Sequence, residues 1–339
     1  MPSRRQMFAV PTALLGIAAF GGAAYLWHTG RRPEANIPAP LAAERMQQLY
    51  SQPLEPISGD LRGFHIGHSL VGRDMPAMLM QLADGAYAYE SQLGWGTSLR
   101  AHWDRDEPIN GFDTENAHPR YRDAHDALDS GEYDALILTE MVEIRDAIAY
   151  FASWDFLRRW TAEARAANPA IRIYLYETWH ETNDPEGWLD RIDADLNRYW
   201  LDSILRPALA ETGGTEPIYV IPGGQVMAAF LRAAEARGGL KDVSGVGDLM
   251  LDSIHFNDIG AYLIALTHFA VLFGRSPVGL PSALLRADGT PAQEPLAETA
   301  ELMQAVVWQV VTSTPLTGVV GTDTAPLTFA TERYHNEPA

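Results

Sequence analysis

Hydrophobic and polar residues along this chain follow two alternating patterns. Short, mostly apolar runs typical of buried strands occupy residues 61–66, 86–93, 133–138, 171–176 and 217–222. Segments with apolar residues at helical spacing lie between and after them, at residues 75–83, 121–128, 154–167, 189–209, 226–236, 259–273 and 294–311. Strands that alternate with helices in this way predict an α/β fold with a doubly wound, mostly parallel sheet.

A serine directly follows the first predicted strand. The apolar run gives way to Gly67, Ser69 comes next, and the helical pattern begins near Met75. A serine in a strand–helix turn exposes its hydroxyl at the carboxyl end of the sheet, where open α/β sheets bind ligands. We also expect its backbone N–H to lie near a helix N-terminus, facing a developing oxyanion. A serine at such a junction is equally an ordinary helix N-cap, so its meaning depends on a partner.

That partner is predicted far downstream, where Asp252 and His255 precede the apolar segment 259–273. A hydroxyl nucleophile needs a base to take its proton, and the base needs a carboxylate that fixes its tautomer. Asp252 alone would only cap the following helix. Together with Ser69 the pair predicts a catalytic triad, in which His255 acts as general base and then general acid, and Asp252 orients the imidazole.

These two stretches resemble the SGNH, or GDSL-type, hydrolases. The Gly-x-Ser-Leu sequence that contains Ser69 is similar to the nucleophile block of that family, and Asp252-x-x-His255 with the following residues 257–262 is similar to its last block. The resemblance spans about residues 60–275. It implies a flavodoxin-like three-layer α/β/α sandwich with a five-stranded sheet. It also places Gly96 at the family's oxyanion-hole glycine, beside the Ser69 N–H.

The chain departs from the family pattern after the third predicted strand. The usual Gly-x-Asn-Asp is absent, and Thr139-Glu140-Met141 stands there instead. An ionised carboxylate cannot donate a hydrogen bond to an oxyanion. Glu140 is therefore held protonated by burial, or binds a substrate hydroxyl, or leaves the donor's place to Thr139 or Asn257. The alternative is an ordinary strand-end carboxylate that accepts hydrogen bonds from backbone N–H groups.

Aromatic residues fall on predicted loops at the same end of the sheet. Trp95, Trp179 and the adjacent His180 are candidate substrate contacts, because aromatic rings beside acids suit a sugar ring. Tryptophans are as readily explained by plain packing. Glu140 and His68 complete the set of candidate substrate contacts, and for His68 a hydrogen bond to a neighbouring group is the expected role.

The histidines near the nucleophile also raise the question of a metal ion. His65 and His68 flank the turn, and His180 or His255 would be the further ligands. Because His65 lies inside a strand, a hydrogen-bonded core imidazole is the better interpretation. We expect no metal ion and no organic cofactor.

Composition limits the kinds of ligand and partner that this protein is expected to bind. The chain has 339 residues, a formal net charge of −19 and no cysteine. The acidic balance argues against nucleic acid, since a phosphate-binding surface needs clustered Lys and Arg. The absence of cysteine excludes disulfides, thiol catalysis and thiolate metal sites. No Gly-x-Gly-x-x-Gly follows the first strand, which argues against a dinucleotide-binding enzyme.

The N-terminus predicts export. Arg4 and Arg5 precede an uncharged stretch at residues 7–27, and Arg31 and Arg32 follow it. A basic region before an apolar run is typical of a secretory signal or a membrane anchor, and the arginine pair resembles a twin-arginine signal. A cleaved signal and an uncleaved anchor are both consistent with the sequence, and either predicts an extracytoplasmic, periplasmic protein.

The predicted organisation is an export signal or anchor at residues 1–32, a linker or arm at 33–58, an SGNH-like hydrolase domain at 59–320 and a loosely ordered tail at 321–339. The predicted function is a serine esterase that removes an acyl group, with acetyl expected, from a carbohydrate or similar polar ester through an acyl-Ser69 intermediate. Two alternatives remain open. One is an O-acyltransferase with the same triad, and the other is a non-catalytic envelope protein that binds glycan.

Overall fold

The computed structural model describes residue 32 and residues 35–321, and the structural statements below refer to them. The predicted signal or anchor at residues 7–27 and the tail beyond residue 321 lie outside the described residues, so both stay predictions. No helix within the described part of the chain has the length and apolar character needed to span a membrane.

Five parallel strands form a single sheet. They are β1 (Leu61–His68), β2 (Tyr87–Gly94), β3 (Ala135–Leu138), β4 (Arg172–Glu177) and β5 (Tyr219–Pro222). Their order across the sheet is β2-β1-β3-β4-β5, and every neighbouring pair runs parallel. The predicted α/β class with a five-stranded sheet is therefore confirmed, and the sheet is parallel throughout. Because β2 and β3 lie on opposite sides of β1, the connections diverge at the carboxyl end of β1, where such sheets form their ligand crevice.

Both faces of the sheet are covered, as a parallel sheet requires. Successive side chains of a strand point to opposite faces. In β3, Leu136 and Leu138 belong to one apolar core, and Ala135 and Ile137 belong to the other. All four are fully buried, which explains why this strand is a continuous apolar run instead of an alternating one.

Two layers of helices pack against these faces. The first layer consists of α2 (Asp74–Leu82), α8 (Trp188–Asp195), α10 (Gly223–Ala236), α11 (Asp258–Phe273) and α12 (Ala297–Ser313). The second layer consists of α3 (Leu99–Trp103), α5 (Ala124–Asp129), α6 (Ile144–Phe151), α7 (Ser153–Ala167) and α9 (Arg206–Glu211). A π-helical segment, Leu196–Leu205, joins α8 to α9, so the helix predicted over residues 189–209 contains a wider central part. The architecture is the predicted three-layer sandwich.

Helix α11 is the central element of its layer. Every residue from Ile259 to Phe273 is buried, and a helix that is apolar on all sides must be surrounded by protein. Asn257 caps its first turn by accepting hydrogen bonds from the N–H groups of Ile259 (3.0 Å) and Gly260 (3.1 Å). The loop that precedes α11 is thereby attached to a buried, well-supported helix.

Residues 35–58, predicted as a linker or arm, lie against the second layer and the end of the chain. They include α1 (Ala43–Leu49). The Leu41 N–H donates to the carbonyl of Arg206 (3.1 Å), the Tyr50 hydroxyl donates to the carbonyl of Ile218, and the Leu54 N–H donates to the carbonyl of Gly318 (2.7 Å). These bonds hold the segment to three separate parts of the domain.

The polar excursion after α3 covers the outer edge of β2. It contains α4 (Phe112–Glu115), and Tyr121 forms a parallel bridge with Ser91. The Asn116 side chain accepts from the Leu93 N–H (3.0 Å) and donates to the Leu93 carbonyl (2.8 Å). An exposed strand edge is prone to pair with other chains, so this excursion protects the sheet.

A buried ion cluster supplies a test of the packing. The Arg191 side chain is 4% exposed and binds Glu143 (2.9 Å), Asp184 (2.7 Å) and Asp195 (2.7 Å). Removing one partner of a buried ion pair leaves the other charges uncompensated, at a cost of about 3–5 kcal/mol. We expect Arg191→Met to lower the free energy of unfolding by that amount, measured by urea denaturation.

The matched control is Arg232→Met, which removes an exposed pair with Asp193 at 2.6 Å. Exposed ion pairs contribute about 0–1 kcal/mol, so this variant should unfold nearly as the unmodified protein does. Equal losses in the two variants would contradict the interpretation.

Candidate active site

Ser69 lies in a turn of its own between β1 and α2. Strand β1 extends two residues beyond its predicted end, because His68 still pairs with Gly94 of β2. The carbonyl of His68 then accepts from the N–H of Val71 (2.8 Å), and α2 begins only at Asp74. The Ser69 N–H therefore lies before α2 and not within its first turn, since a hydrogen-bonded turn separates the two.

Gly67 is required by close packing in this turn. A Cβ atom at position 67 would lie 2.7 Å from the Cβ of Thr139, which is too close for any side chain. The glycine lets the end of β1 approach the end of β3. The next residues place Ser69 half-buried at the carboxyl edge of the sheet.

Asp252 and His255 lie at the tip of a hairpin-like loop that precedes α11. The base of this loop is an antiparallel bridge between Met250 and Phe256, and the Leu251 N–H donates to the carbonyl of His255 (2.7 Å). One oxygen of Asp252, Oδ1, accepts from the N–H groups of Ile254 (2.8 Å) and His255 (2.7 Å). We call residues 250–257 the catalytic loop, since it carries both candidate residues.

The structure brings the three predicted triad residues together. His255 Nε2 lies 2.9 Å from Ser69 Oγ, and His255 Nδ1 lies 2.8 Å from Asp252 Oδ2. Burial raises the pKa of Asp252, but the N–H groups of His255 and Ile254 and the His255 ring outweigh it and hold that pKa below its usual range. Ionised Asp252 accepts a hydrogen bond from the Nδ1–H of His255, which leaves the lone pair of Nε2 facing Ser69 Oγ and able to accept its proton.

The backbone N–H groups of Ser69 and Gly96, the two predicted oxyanion-hole donors, have no acceptor among the described residues. Gly96 lies in the loop after β2, is exposed and has a φ of +55°, a conformation that side chains rarely adopt. The two other candidate donors, Asn257 and Thr139, are placed differently. The Asn257 amide donates to the carbonyl of Asp248 (2.8 Å) while its oxygen caps α11, and the Thr139 hydroxyl is buried.

Glu140 is fully buried behind the site, not exposed to it. Its Oε1 accepts from the N–H groups of Leu99 (3.2 Å) and Met141 (2.8 Å). Burial raises the pKa of Glu140 to about 7, although these N–H groups lower it. Of the alternatives considered for Glu140, the hydrogen bonds match a strand-end carboxyl bonded to backbone, and the raised pKa matches a carboxyl that burial keeps protonated below about pH 7. Leu99 begins α3 directly after the loop that carries Gly96, so Glu140 anchors that loop.

His68 is also buried and bonded to the chain itself. Its Nε2 donates to the carbonyl of Glu140 (2.8 Å), and its Nδ1 accepts from the Leu70 N–H (3.3 Å). Burial lowers the pKa of His68 to about 4, so its ring is neutral. The side chain therefore joins the ends of β1 and β3 and has no exposed atom for a substrate, in contrast to its prediction as a substrate contact.

Of the remaining candidate contacts, only Trp95 presents an exposed surface. It is 37% exposed, and its Nε1 donates to Glu115 (2.7 Å). Trp179 is 3% exposed and donates from Nε1 to the carbonyl of Ile254 (2.8 Å). His180 is buried, and burial lowers its pKa to about 4. Trp179 and His180 thus lie beneath the surface, because the loop after β4 folds inward under the catalytic loop.

A small cavity borders this inward-folded loop. Thr178 Oγ1 and His180 Nε2, which have no hydrogen-bond partner among the described residues, belong to its lining. Its volume of about 10 Å³ is near the minimum for one water molecule. A sugar or an acyl chain does not fit there, and neither Ser69 nor His255 is among the residues that line it.

Sequence reasoning missed one supporting residue, His102. Its Nε2 donates to the carbonyl of Gly67 (2.8 Å), and its Nδ1 lies 3.1 Å from the Gln92 amide nitrogen. Burial lowers the pKa of His102 to about 4, which keeps the ring neutral. The ring holds the turn before Ser69 to α3. Its position shortly after the carboxyl end of β2 was the signal available in the sequence.

The histidines do not form a metal centre in the part of the chain that the structure covers. His65 Nε2 lies 2.7 Å from the Tyr87 hydroxyl, inside the core. No group of three or more His, Asp or Glu side chains within residues 35–321 is arranged to hold a metal ion.

Comparison with known proteins gave distant structural similarities. Neither the models of known protein families nor the curated proteins produced a match. A DUF4886 family protein from Bacteroides uniformis is 16% identical with a TM-score of 0.49, covering 74% of this chain and 95% of its own. A protein described as a GDSL-like lipase from Parabacteroides merdae is 14% identical with a TM-score of 0.40, covering 64% and 97%.

A carbohydrate esterase of family 3 from Talaromyces cellulolyticus is 12% identical with a TM-score of 0.35, covering 62% of this chain and 95% of its own. At identities and TM-scores this low, the similarities assign neither an activity nor a substrate to the chain.

The buried carboxyl of Glu140 makes stability depend on pH. An unfolded glutamate has a pKa of about 4.3, whereas that of Glu140 is about 7, so the folded protein holds a proton that the unfolded chain has released between these values. Stability must therefore fall as pH rises from about 4.3 to about 7, by roughly 4 kcal/mol for this group. We expect Glu140→Gln, which keeps an acceptor oxygen, to reduce this fall in urea unfolding at pH 5, 6, 7 and 8.

Glu177→Gln is the matched variant. The pKa of Glu177 is raised by burial to about 8, and its carboxylate accepts from the N–H groups of Gly224 (2.9 Å) and Gln225 (3.2 Å). Glu177→Gln should reduce the loss of stability with rising pH over a range that extends to about pH 8, one unit higher than for Glu140→Gln. An unchanged pH slope in both variants would contradict the burial of protonated carboxyls.

Proposed function

We propose that this chain is a serine ester hydrolase of the SGNH type. The observation that carries the proposal is the continuous hydrogen-bonded chain from Ser69 Oγ through His255 to Asp252, with distances of 2.9 and 2.8 Å. These three hydrogen-bonded side chains lie at the carboxyl edge of a parallel sheet, where ligands bind in this class of fold. Triad geometry defines the reaction class across unrelated folds, so the proposal does not depend on overall similarity.

In the proposed reaction His255 Nε2 takes the proton of the Ser69 hydroxyl while Ser69 Oγ attacks the ester carbonyl carbon. The carbonyl oxygen becomes an oxyanion, which the N–H groups of Ser69 and Gly96 stabilise. The ester bond then breaks, and the alcohol leaves with the proton from His255. Water attacks the acyl carbon with His255 again as base, the bond between that carbon and Ser69 Oγ breaks, and the carboxylic acid leaves while His255 returns the proton to Ser69 Oγ. Asp252 stabilises the imidazolium at both stages.

The proposed oxyanion hole lacks the side-chain amide that the family pattern supplies. Glu140 occupies that part of the sequence, but its carboxyl is buried and accepts hydrogen bonds. Its proposed contribution is indirect, because it holds the first turn of α3 and with it the loop that carries Gly96. Preorganised donors cost no rearrangement at the moment of reaction, so fixing this loop favours catalysis.

The proposed substrate is an acyl ester of a carbohydrate or a similar polar molecule, with acetyl as the acyl group. Trp95 supports this, since its exposed ring adjoins Gly96 and is held in place by Glu115. A rigid aromatic ring beside a carboxylate offers a flat apolar surface and a hydrogen-bond acceptor, which together suit a sugar. The net charge of −19 disfavours polyanionic substrates.

The nucleophile is tested with the full-length protein and p-nitrophenyl acetate. We expect Ser69→Ala to lower kcat at least about 10³-fold, because the covalent route is lost. A fluorophosphonate probe followed by mass spectrometry should label Ser69 in the unmodified protein and leave the variant unlabelled. Ser276→Ala, at an exposed serine that accepts from the Val278 N–H, is the control and should keep both turnover and label.

Turnover and labelling that persist in Ser69→Ala would overturn the proposed nucleophile. If the unmodified protein showed neither, the result would favour the non-catalytic glycan-binding alternative.

The substrate class is tested at Trp95. If this ring supports the sugar, Trp95→Ala should raise KM for an acetylated oligosaccharide by about 10-fold, the effect of roughly 1.4 kcal/mol of lost contact. It should leave KM for p-nitrophenyl acetate nearly unchanged, since that ester has no sugar. Acetate release measured for both esters gives the comparison, and equal changes for the two would argue against a sugar platform.

A further inference from the structure

We propose that the segment after β4 positions the catalytic loop, with Trp179 as its principal positioning residue. We call residues 177–182, which are the last residue of β4 and the loop that follows it, the strap. The inference rests on the proposed function for its effect on turnover, while its effect on the loop can be measured independently. The loop needs such support because its tip carries both Asp252 and His255.

The tip of the catalytic loop projects from the body of the protein. Leu251 is 75% exposed, and the Asp252 side chain is 49% exposed. The bonds within the tip join Asp252 to the next residues and Leu251 to His255, so they fix its internal shape. They do not fix where the tip stands relative to Ser69, which lies on a different element.

The two carbonyl groups at the tip are both bonded to the strap. Trp179 Nε1 donates to the carbonyl of Ile254 (2.8 Å), and the Thr182 N–H donates to the carbonyl of Ser253 (2.7 Å). The Trp179 ring also packs near that of Phe256, with centroids 5.9 Å apart. Ser253 and Ile254 lie between Asp252 and His255, so the strap holds the segment that connects the carboxylate to the base.

The strap is itself firmly attached to two helices. The Glu177 carboxylate accepts from the N–H groups of Gly224 and Gln225 at the start of α10. Trp188 Nε1, at the start of α8, donates to the carbonyl of His180 (2.9 Å). Trp179 lies between these attachments and is buried. Through the strap, the catalytic loop is therefore connected to β4 and to helices α8 and α10, which pack against the sheet.

This arrangement predicts an effect on turnover that a purely structural tryptophan would lack. His255 Nε2 must stay within hydrogen-bonding distance of Ser69 Oγ, and a displacement of about 1 Å can cost 10²-fold in rate. Trp179→Phe keeps an aromatic ring and removes the N–H donor. We expect kcat for p-nitrophenyl acetate to fall about 10- to 100-fold and KM to change less than twofold, because the variant leaves the substrate surface intact.

The test uses the full-length protein and combines three measurements. These are kcat and KM, the rate at which the fluorophosphonate probe labels Ser69, and hydrogen–deuterium exchange of residues 250–257. We expect Trp179→Phe to lower kcat and the labelling rate, and to speed exchange in the catalytic loop but not in α10. The control is Trp154→Phe, which removes a half-buried indole donor to the carbonyl of Asn36 and should change none of these.

Thr182→Pro is a second variant that deletes the other bond without altering Trp179. It should shift all three measurements in the same direction, and it carries the test if Trp179→Phe does not fold. Unchanged exchange in both variants, or faster exchange with unchanged kcat and labelling rate, would overturn the inference. Faster loop exchange in a protein that shows no turnover even when unmodified would instead overturn the proposed function and leave the strap as the support of this loop.

Discussion

All strands of a parallel sheet end at one edge, and this constraint organises the molecule. The chain runs from β1 to β2 on one side and then crosses to β3 on the other, so the loops after these strands lie at the same edge of the sheet. Ser69, Gly96, Glu140 and Trp179 follow four different strands and meet there for this reason. The catalytic loop comes from outside the sheet, and its attachment to the buried helix α11 and to the strap brings His255 to Ser69.

Buried polar side chains support the loops of this edge. His68, His102, Glu140 and Glu177 each bind backbone groups of a neighbouring loop or helix. Burying such groups costs free energy unless they are hydrogen-bonded, so each also restrains its partner to one position. Two of them, Glu140 and Glu177, are carboxyls whose pKa is raised because burial removes them from water. On the outer side of these residues lie the three groups of the candidate triad: the hydroxyl of Ser69, the imidazole of His255 and the carboxylate of Asp252.

The pattern of apolar residues predicted the fold closely because it reflects local geometry. Runs such as residues 133–138 indicate a strand buried on both faces, and β3 is such a strand. The boundaries were less certain from the pattern. Strand β1 continues through His68 because Gly94 of β2 offers a partner, and α2 starts at Asp74 because the carbonyl of His68 first closes a turn. The extension of β1 arises from a partner that is distant in the sequence, whereas α2 begins within one residue of its predicted start near Met75.

The sequence by itself determined the order of strands and helices and the chemical groups of the candidate site, since strand and helix periods and the Ser69 and Asp252-x-x-His255 stretches are local features. Only the tertiary structure decided which side chains face the open edge. Trp95 is exposed, whereas His68, Glu140, Trp179 and His180 turn inward, although all five follow strands at the same edge. The physical reason is that a side chain's direction in a loop depends on hydrogen bonds to other segments. For Trp179 that partner is the carbonyl of Ile254, 75 residues away.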